Sequence, residues 1–315
     1  MTLAIASATA TDDAAAMVKL LAERACAKIN LFLRVTGRRA DGYHELDSIF
    51  VPVSIDDRIR LELRASHTSS ITLRCNIASL GAPESNLATR AARAFIDEFG
   101  ISAHVIIDLE KTIPMGAGLG GGSSDAGTVI RMLTAMTSAM IRESKDVPER
   151  LRQIALGLGA DVPFFLDPRP ARVTGIGEHI EVLDKFPKLY LVIAVPPVEV
   201  PTALVFKGLK REHWSGAASE GHIDEILRGE IAARHLRNDL EAPAVHLYPQ
   251  VGKLKASLQE CGPIAASMSG SGGSVFGMFQ DEEAAHRGAE SLGRKAPEAR
   301  VFVAQSLDAQ SKVQD

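Results

Sequence analysis

Pro114-Met-Gly-Ala-Gly-Leu-Gly-Gly-Gly-Ser-Ser124 is the stretch on which the reading of this chain turns. Five of the seven residues from Gly116 to Gly122 are glycine. Glycine accepts positive φ and lets backbones approach closely, so successive N–H groups can converge on one anion. Ser123 and Ser124 follow at the start of a helix, where they can cap it or bond phosphate oxygens above its positive end. In physical terms this is a phosphate cradle. A flexible linker is the plain alternative, but linkers rarely sit between a strand (105–109) and an amphipathic helix striped by Val129, Leu133 and Met136. A Walker loop needs lysine where Gly122 stands. Gly116-x-Gly118-x-x-Gly121 fits the dinucleotide fingerprint, yet it opens no βαβ unit and no acidic residue ends a strand about 20 positions on. The protein-kinase HRD and DFG motifs are missing.

Outward from the loop, strands and helices mix without a regular βαβ cadence. Residues 27–35 alternate, with Ile29, Leu31, Leu33 and Val35 on one face and Lys28, Asn30, Phe32 and Arg34 on the other. A turn at 40–42 precedes strands at 45–53, 58–64 and 71–75. Residues 85–99 read as a helix capped by Ser85 or Asn86, with Gly100 just past its end. A further helix carries Leu151, Ile154, Ala155 and Leu158, and strands follow at 172–174, 178–183 and 188–195. A second Gly/Ser stretch, 267–273, leads into a strand at 274–279; it lines the phosphates or is a tight turn. The pattern predicts an α+β fold of two domains. The predicted division is a loose extension over 1–21, an N-terminal domain carrying the glycine stretch over 22–180 and a C-terminal domain over 181–315.

Composition narrows the function classes. The chain has 315 residues and a formal net charge of −4, which argues against nucleic acid or an anionic membrane as main partner. Its three cysteines, Cys26, Cys75 and Cys261, are far apart and give neither a disulfide framework nor a cysteine zinc site. No apolar run reaches the roughly 18–20 residues that span a bilayer; the best, 189–195, stops at Pro196-Pro197. The first basic residue is Lys19, after Asp12-Asp13, which fits neither a secretory nor a transit signal. A cytoplasmic protein is expected. The nine histidines show no paired metal-ligand spacing.

The glycine stretch resembles the ATP loop of the GHMP small-molecule kinase superfamily. Ala27-Lys28-Ile29-Asn30-Leu31, Arg39-Ala-Asp-Gly-Tyr-His44, Gly159-Ala-Asp161-Val-Pro-Phe and Ser269-Gly-Ser-Gly-Gly-Ser274 fall in the order expected of one branch. That branch phosphorylates the tertiary 2-hydroxyl of a cytidine-diphosphate-linked methylerythritol in the non-mevalonate isoprenoid pathway. The likeness runs from about Ala25 to about Val303. It implies an ATP-binding N-terminal domain, an active site in the cleft between the two domains, and ATP as donor, with Mg²⁺ held mainly by phosphates and water. It also implies a nucleotide site built from Pro114, Met115, Gly116, Ala117, Gly118, Leu119, Gly120, Gly121, Gly122, Ser123 and Ser124. Lys111 either approaches the nucleotide or is a surface lysine at a strand end. By the same resemblance Lys28 and Asp161 are the catalytic pair, Tyr43 and Phe206 sandwich the cytosine, His44 bonds its edge, and Asn30 and Thr202 hold the rest. A monomer or weak homodimer is implied.

Cys26 departs from the proline usual in the family, and Asp125 stands where asparagine is also found. Read without the resemblance, Lys28 is a solvated edge-strand lysine, Asp161 a turn aspartate, and Tyr43 and Phe206 core aromatics. Adjacent Tyr43 and His44 would face opposite ways on a regular strand unless the turn at Asp41-Gly42 intervenes. Two other functions stay open: a related kinase for another alcohol or sugar, and a catalytically silent nucleotide- or sugar-binding regulator on the same fold.

Overall fold

The computed structural model describes residues 18–77, 82–142 and 144–308. Its first sheet is built on a long antiparallel pair, β1 (Val18–Arg38) and β2 (His44–Ala65). The strands expected at 45–53 and 58–64 are thus one. Residues 18–21, assigned from the sequence to the loose extension, belong to β1, and residues 1–17 lie outside the described residues. Then come β3 (Ser70–Cys75), α1 (Leu87–Phe99), β4 (Ala103–Glu110), α2 (Gly121–Ile141), α3 (Val147–Leu158), β5 (Ala171–Gly175) and β6 (His179–Val182). The sheet runs β3-β4-β2-β5-β6, with β1 along the other edge of β2. Asn86 caps α1 and Gly100 ends it at φ 62.

The second half holds β7 (Tyr190–Val195), α4 (Thr202–Gly208), α5 (Glu220–Leu227), α6 (Glu241–Leu247), α7 (Pro249–Gln259), β8 (Ala265–Ser269), β9 (Ser274–Phe279), α8 (Glu282–Lys295) and β10 (Arg300–Gln305). Its antiparallel sheet runs β10-β7-β9-β8. β7 shows why an unbroken apolar run was needed. Leu191, Ile193 and Val195 pack toward Ile29, Leu31 and Val51 of the first sheet, while Val192 and Ala194 pack with Leu254 of α7 and Leu292 of α8. A strand covered on both faces has no polar side.

β1 does not keep the strict alternation read from its sequence. Its register against β2 slips between Cys26 and Ala27, between Asn30 and Leu33, and between Val35 and Gly37. Such bulges re-aim side chains. Phe32, expected opposite Leu31, shares its core cluster, while Leu33 and Val35 join the core of the second half.

The two glycine-rich stretches meet backbone to backbone. A Cβ on Gly118, at φ +72, would overlap the Ser269 carbonyl oxygen and stand 2.9 Å from that of Gly272. A Cβ on Gly273, at φ +91, would stand 2.7 Å from the Ala117 Cα. The Lys28 N–H donates to the Leu119 carbonyl at 2.9 Å, which binds the loop to β1. Gly118→Ala is expected to destabilise the fold by about 2 kcal/mol or more, through strain and collision with backbone. Gly122→Ala, inside α2 and 3.4 Å from Leu87 Cδ1, is expected to be neutral or stabilising by up to about 1 kcal/mol. Urea unfolding of both variants reads the contrast.

Candidate active site

A cleft of about 790 Å³ opens between β1 and the glycine loop of the first half and α4 and the β8–β9 turn of the second. Lys28, Asn30, Tyr43, His44, Lys111, the loop from Pro114 to Ser123, Asp161, Thr202 and Phe206 all line it. A larger cavity, about 930 Å³, holds none of these residues and sets Arg24, Arg58, Arg60 and Arg74 among acidic partners.

Lys28 is 3% exposed. Burying an ammonium is costly unless its charge and donors are met. Its Nζ donates to Asn30 Oδ1 at 2.6 Å, lies 3.3 Å from Asp161 Oδ2 and sits 4.5 Å from the centre of the Phe50 ring. Asn30 cannot flip, because its Nδ2 donates to Ser48 Oγ at 2.9 Å and Ser48 in turn donates to the Phe32 carbonyl. Asn30 thus spends its amide on Lys28 and Ser48. Asp161 sits in the turn after α3, where the Val162 N–H donates to the Gly159 carbonyl at 3.1 Å. Its side chain is one-third exposed, so one edge of the carboxylate faces open space.

In the loop, Gly116, Gly118 and Gly120 take φ of 63°, 72° and 72°. Left-handed residues interleaved with ordinary ones turn backbone N–H groups toward a common centre. α2 begins at Gly121 behind Gly120 and has no side-chain cap, which leaves first-turn donors open for an anion. Close backbone walls, missing Cβ atoms and an uncapped 21-residue helix fit a nucleotide triphosphate. Among the described residues no group of three or more His, Cys, Asp or Glu could hold a metal ion.

Two expected nucleotide ligands are engaged elsewhere. Ser124 is 1% exposed and lies off the cleft. Because α2 starts three residues earlier, its N–H donates to the Gly120 carbonyl and its hydroxyl to the Cys26 carbonyl at 2.6 Å. Lys111 is buried and its ammonium is taken by Asp57 and Asp125, so it is not a strand-end surface lysine.

The aromatic residues meet at the other end of the cleft. Tyr43 precedes β2, held by the Asp41 carboxylate on its N–H at 3.1 Å, so strand alternation does not separate it from His44. Its ring is 63% exposed at the rim. His44 stacks on Phe206, ring centres 5.5 Å apart, and meets the edge of Trp214 at 5.9 Å. Burial, and then the Arg38 guanidinium, hold the His44 imidazole below its usual range, so it is neutral at neutral pH. Thr202 Oγ1 lies 2.7 Å from Ser271 Oγ, which ties α4 to the second glycine stretch. Gly270 and Ser271 line the cleft, so this stretch is part of the site wall. Trp214, Ser48 and Phe50 carried no motif that would have pointed to them.

The models of the GHMP kinases match this chain, the N terminal domain over residues 86–167 and the C terminal over residues 220–298. The fold and its cleft are those of a GHMP kinase. A 4-diphosphocytidyl-2-C-methyl-D-erythritol kinase of Syntrophotalea carbinolica is 39% identical over 86% of this chain and 93% of the relative. One of Cereibacter sphaeroides is 41% identical over 86% and 94%. A crystal structure of 4-(cytidine 5'-diphospho)-2C-methyl-D-erythritol kinase superposes with a TM-score of 0.75 at 36% identity, covering 90% of this chain and 99% of that one. Homoserine kinase from Cytophaga hutchinsonii, TM-score 0.68 at 18% identity, shares the fold alone. The chain belongs to the 4-diphosphocytidyl-2-C-methyl-D-erythritol kinase family. No helix among the described residues is long and apolar enough to cross a membrane.

A buried ammonium contributes little to stability when an apolar chain of similar volume can replace it. Lys28→Met is expected to keep the midpoint of thermal unfolding within a few degrees of the parent or to raise it. A collapse of the fold would show that Lys28 is retained for structure.

Proposed function

We propose that the chain transfers the γ-phosphoryl group of ATP to the 2-hydroxyl of 4-diphosphocytidyl-2-C-methyl-D-erythritol. The observation that carries this reading is the Lys28–Asp161 pair, at 3.3 Å, in the same cleft as an uncapped glycine loop. The loop amides from Gly116 to Ser123 would hold the triphosphate, and a Mg²⁺ carried on it would neutralise part of its charge.

The alcohol oxygen attacks the γ-phosphorus as the bond to the β,γ-bridging oxygen breaks and ADP departs. A carboxylate is far too weak a base to strip an alcohol in the ground state. A loose transition state needs little nucleophile activation before that point. Asp161 therefore orients the hydroxyl through its open edge and takes the proton late. Lys28, kept in place by Asn30 and Ser48, meets the charge developing on the transferring oxygens. Asn30 acts first as the partner that orients Lys28, and Thr202 with Ser271 holds the substrate from the far wall. Tyr43 and Phe206 grip the cytosine, and neutral His44 exchanges a hydrogen bond with its edge. One chain supplies every one of these groups, so a monomer suffices. The cytoplasm is the proposed compartment, in keeping with three cysteines that lie far apart in the sequence.

ATP consumption measured with the cytidylyl alcohol beside galactose, homoserine and mevalonate tests the assignment. Turnover with the cytidylyl substrate is expected; turnover with the other three alone would overturn it. Asp161→Asn and Lys28→Ala are each expected to lower kcat by about 100-fold or more with the fold intact. Tyr43→Ala and Phe206→Ala are expected to raise KM for the cytidylyl substrate, since stacking on one ring contributes about 1–3 kcal/mol. An unchanged KM in both would remove the base slot.

A further inference from the structure

Beneath the glycine loop lies a buried triad with no place in the mechanism above. Lys111 precedes the loop, Asp125 stands just past the first turn of α2 behind it, and Asp57 comes from β2. Asp57 is fully buried, and Asp125 is 2% exposed. Asp57 Oδ1 accepts the N–H groups of Thr112 and Ile113, the latter at 2.8 Å, and its Oδ2 accepts from the Lys111 ammonium. The same ammonium donates to Asp125 Oδ2 at 2.7 Å. The segments entering and leaving the loop are therefore bolted together, and both are bolted to the sheet.

The charge does not balance with every group ionised. One ammonium faces two carboxylates away from water, and a buried uncompensated charge is strongly unfavourable. Donors do not balance either. The Asp57 oxygens take three N–H groups, whereas Asp125 Oδ1 is buried without a partner. Both carboxyl groups face the one Lys111 ammonium, through Asp57 Oδ2 and Asp125 Oδ2. A proton on Asp125, the carboxyl with the unpartnered oxygen, removes the excess negative charge. Burial above all, then the Asp57 charge, push the Asp125 carboxyl up to about 7 against the pull of Lys111. Burial draws Lys111 down, but its two carboxylate partners outweigh this and it stays charged. These are the charged groups that act on Asp125; Asp56 and Arg58, beside Asp57 on β2, line the separate larger cavity.

We propose that Asp57, Lys111 and Asp125 are positioning residues of the phosphate loop, a clasp that works with one proton held between its two carboxyl groups. The role assigned to the loop rests on the nucleotide site proposed above. The proton follows from the clasp alone. An ionised clasp would set a buried negative charge beneath a triphosphate, so nucleotide binding near neutral pH draws a proton into it.

Asp125→Asn mimics the neutral acid, since its amide oxygen can accept from Lys111 as Asp125 Oδ2 does. A carboxyl titrating higher in the folded than in the unfolded chain makes folding take up a proton between the two values. Wild-type stability from this group therefore falls as pH rises from about 4 to about 7 and is level above that. The test is thermal unfolding of both proteins over that range and up to about pH 9. The melting temperature of the variant minus that of the wild type is expected to widen by several degrees with rising pH and then level off. A difference independent of pH overturns the clasp.

If the variant does not fold, infrared spectra of the wild type serve alone. A buried carboxylic acid band that persists above about pH 5.5 and fades with a midpoint near 7 is expected. Its absence above about pH 5.5 overturns the clasp. Calorimetry of an ATP analogue in buffers of different ionisation heat is expected to show proton uptake in the wild type and less in Asp125→Asn. Failure to bind the analogue with the titration intact overturns the nucleotide site and with it the role in the loop, but not the shared proton.

Discussion

The contact of one glycine turn on another, with no side chain between them, is what the rest of this molecule depends on. Gly118 lies against the carbonyls of Ser269 and Gly272, and Gly273 against Ala117. Ser269 then reaches across, its hydroxyl donating to the Gly118 carbonyl and accepting the Asn30 N–H, both at 3.2 Å. The loop, the strand that carries Lys28 and the β8–β9 turn of the second sheet are held as one body. Asn238 supports the same turn from behind, its amide donating to the carbonyls of Met268 and Gly270 at 2.8 and 2.9 Å. A cleft with a floor of this kind has its donors in place before a ligand arrives, as electrostatic catalysis requires.

Two lysines near this floor have different fates, and the difference lies in their counter-charges. Lys28 has one carboxylate, partly open to solvent, together with a neutral amide and a ring face. It keeps a positive field directed into the cleft. Lys111 has two carboxylates and hardly any contact with water, so its field is cancelled locally. The first arrangement suits transition-state charge, and the second suits architecture.

The loop was legible because glycine at alternate positions has few other physical uses. The helices at 87–99 and 147–158 were legible through their apolar stripes, and Lys28, Asp161 and the Tyr43-His44 pair through the company of motifs. The fate of Ser124 was not, since it depends on α2 starting at Gly121, a choice made by Gly120 adopting a left-handed conformation. Nor was that of Lys111, because Asp57 lies more than 50 residues away in sequence and only β2–β4 pairing brings it near. Phe32 misled because a bulge re-aims it, which no alternation pattern discloses. Trp214 enters the aromatic corner from a segment with neither strand nor helix periodicity. Local pattern reveals elements; long-range pairing decides which side chains are already spoken for.

The most direct measurement is a crystal structure with a non-hydrolysable ATP analogue and 4-diphosphocytidyl-2-C-methyl-D-erythritol bound together. The terminal phosphate should lie against the amides of residues 116–123 and beside Lys28 Nζ, with the 2-hydroxyl between it and Asp161. A nucleotide seated in the arginine-lined cavity, or a 2-hydroxyl directed away from Asp161, would contradict it.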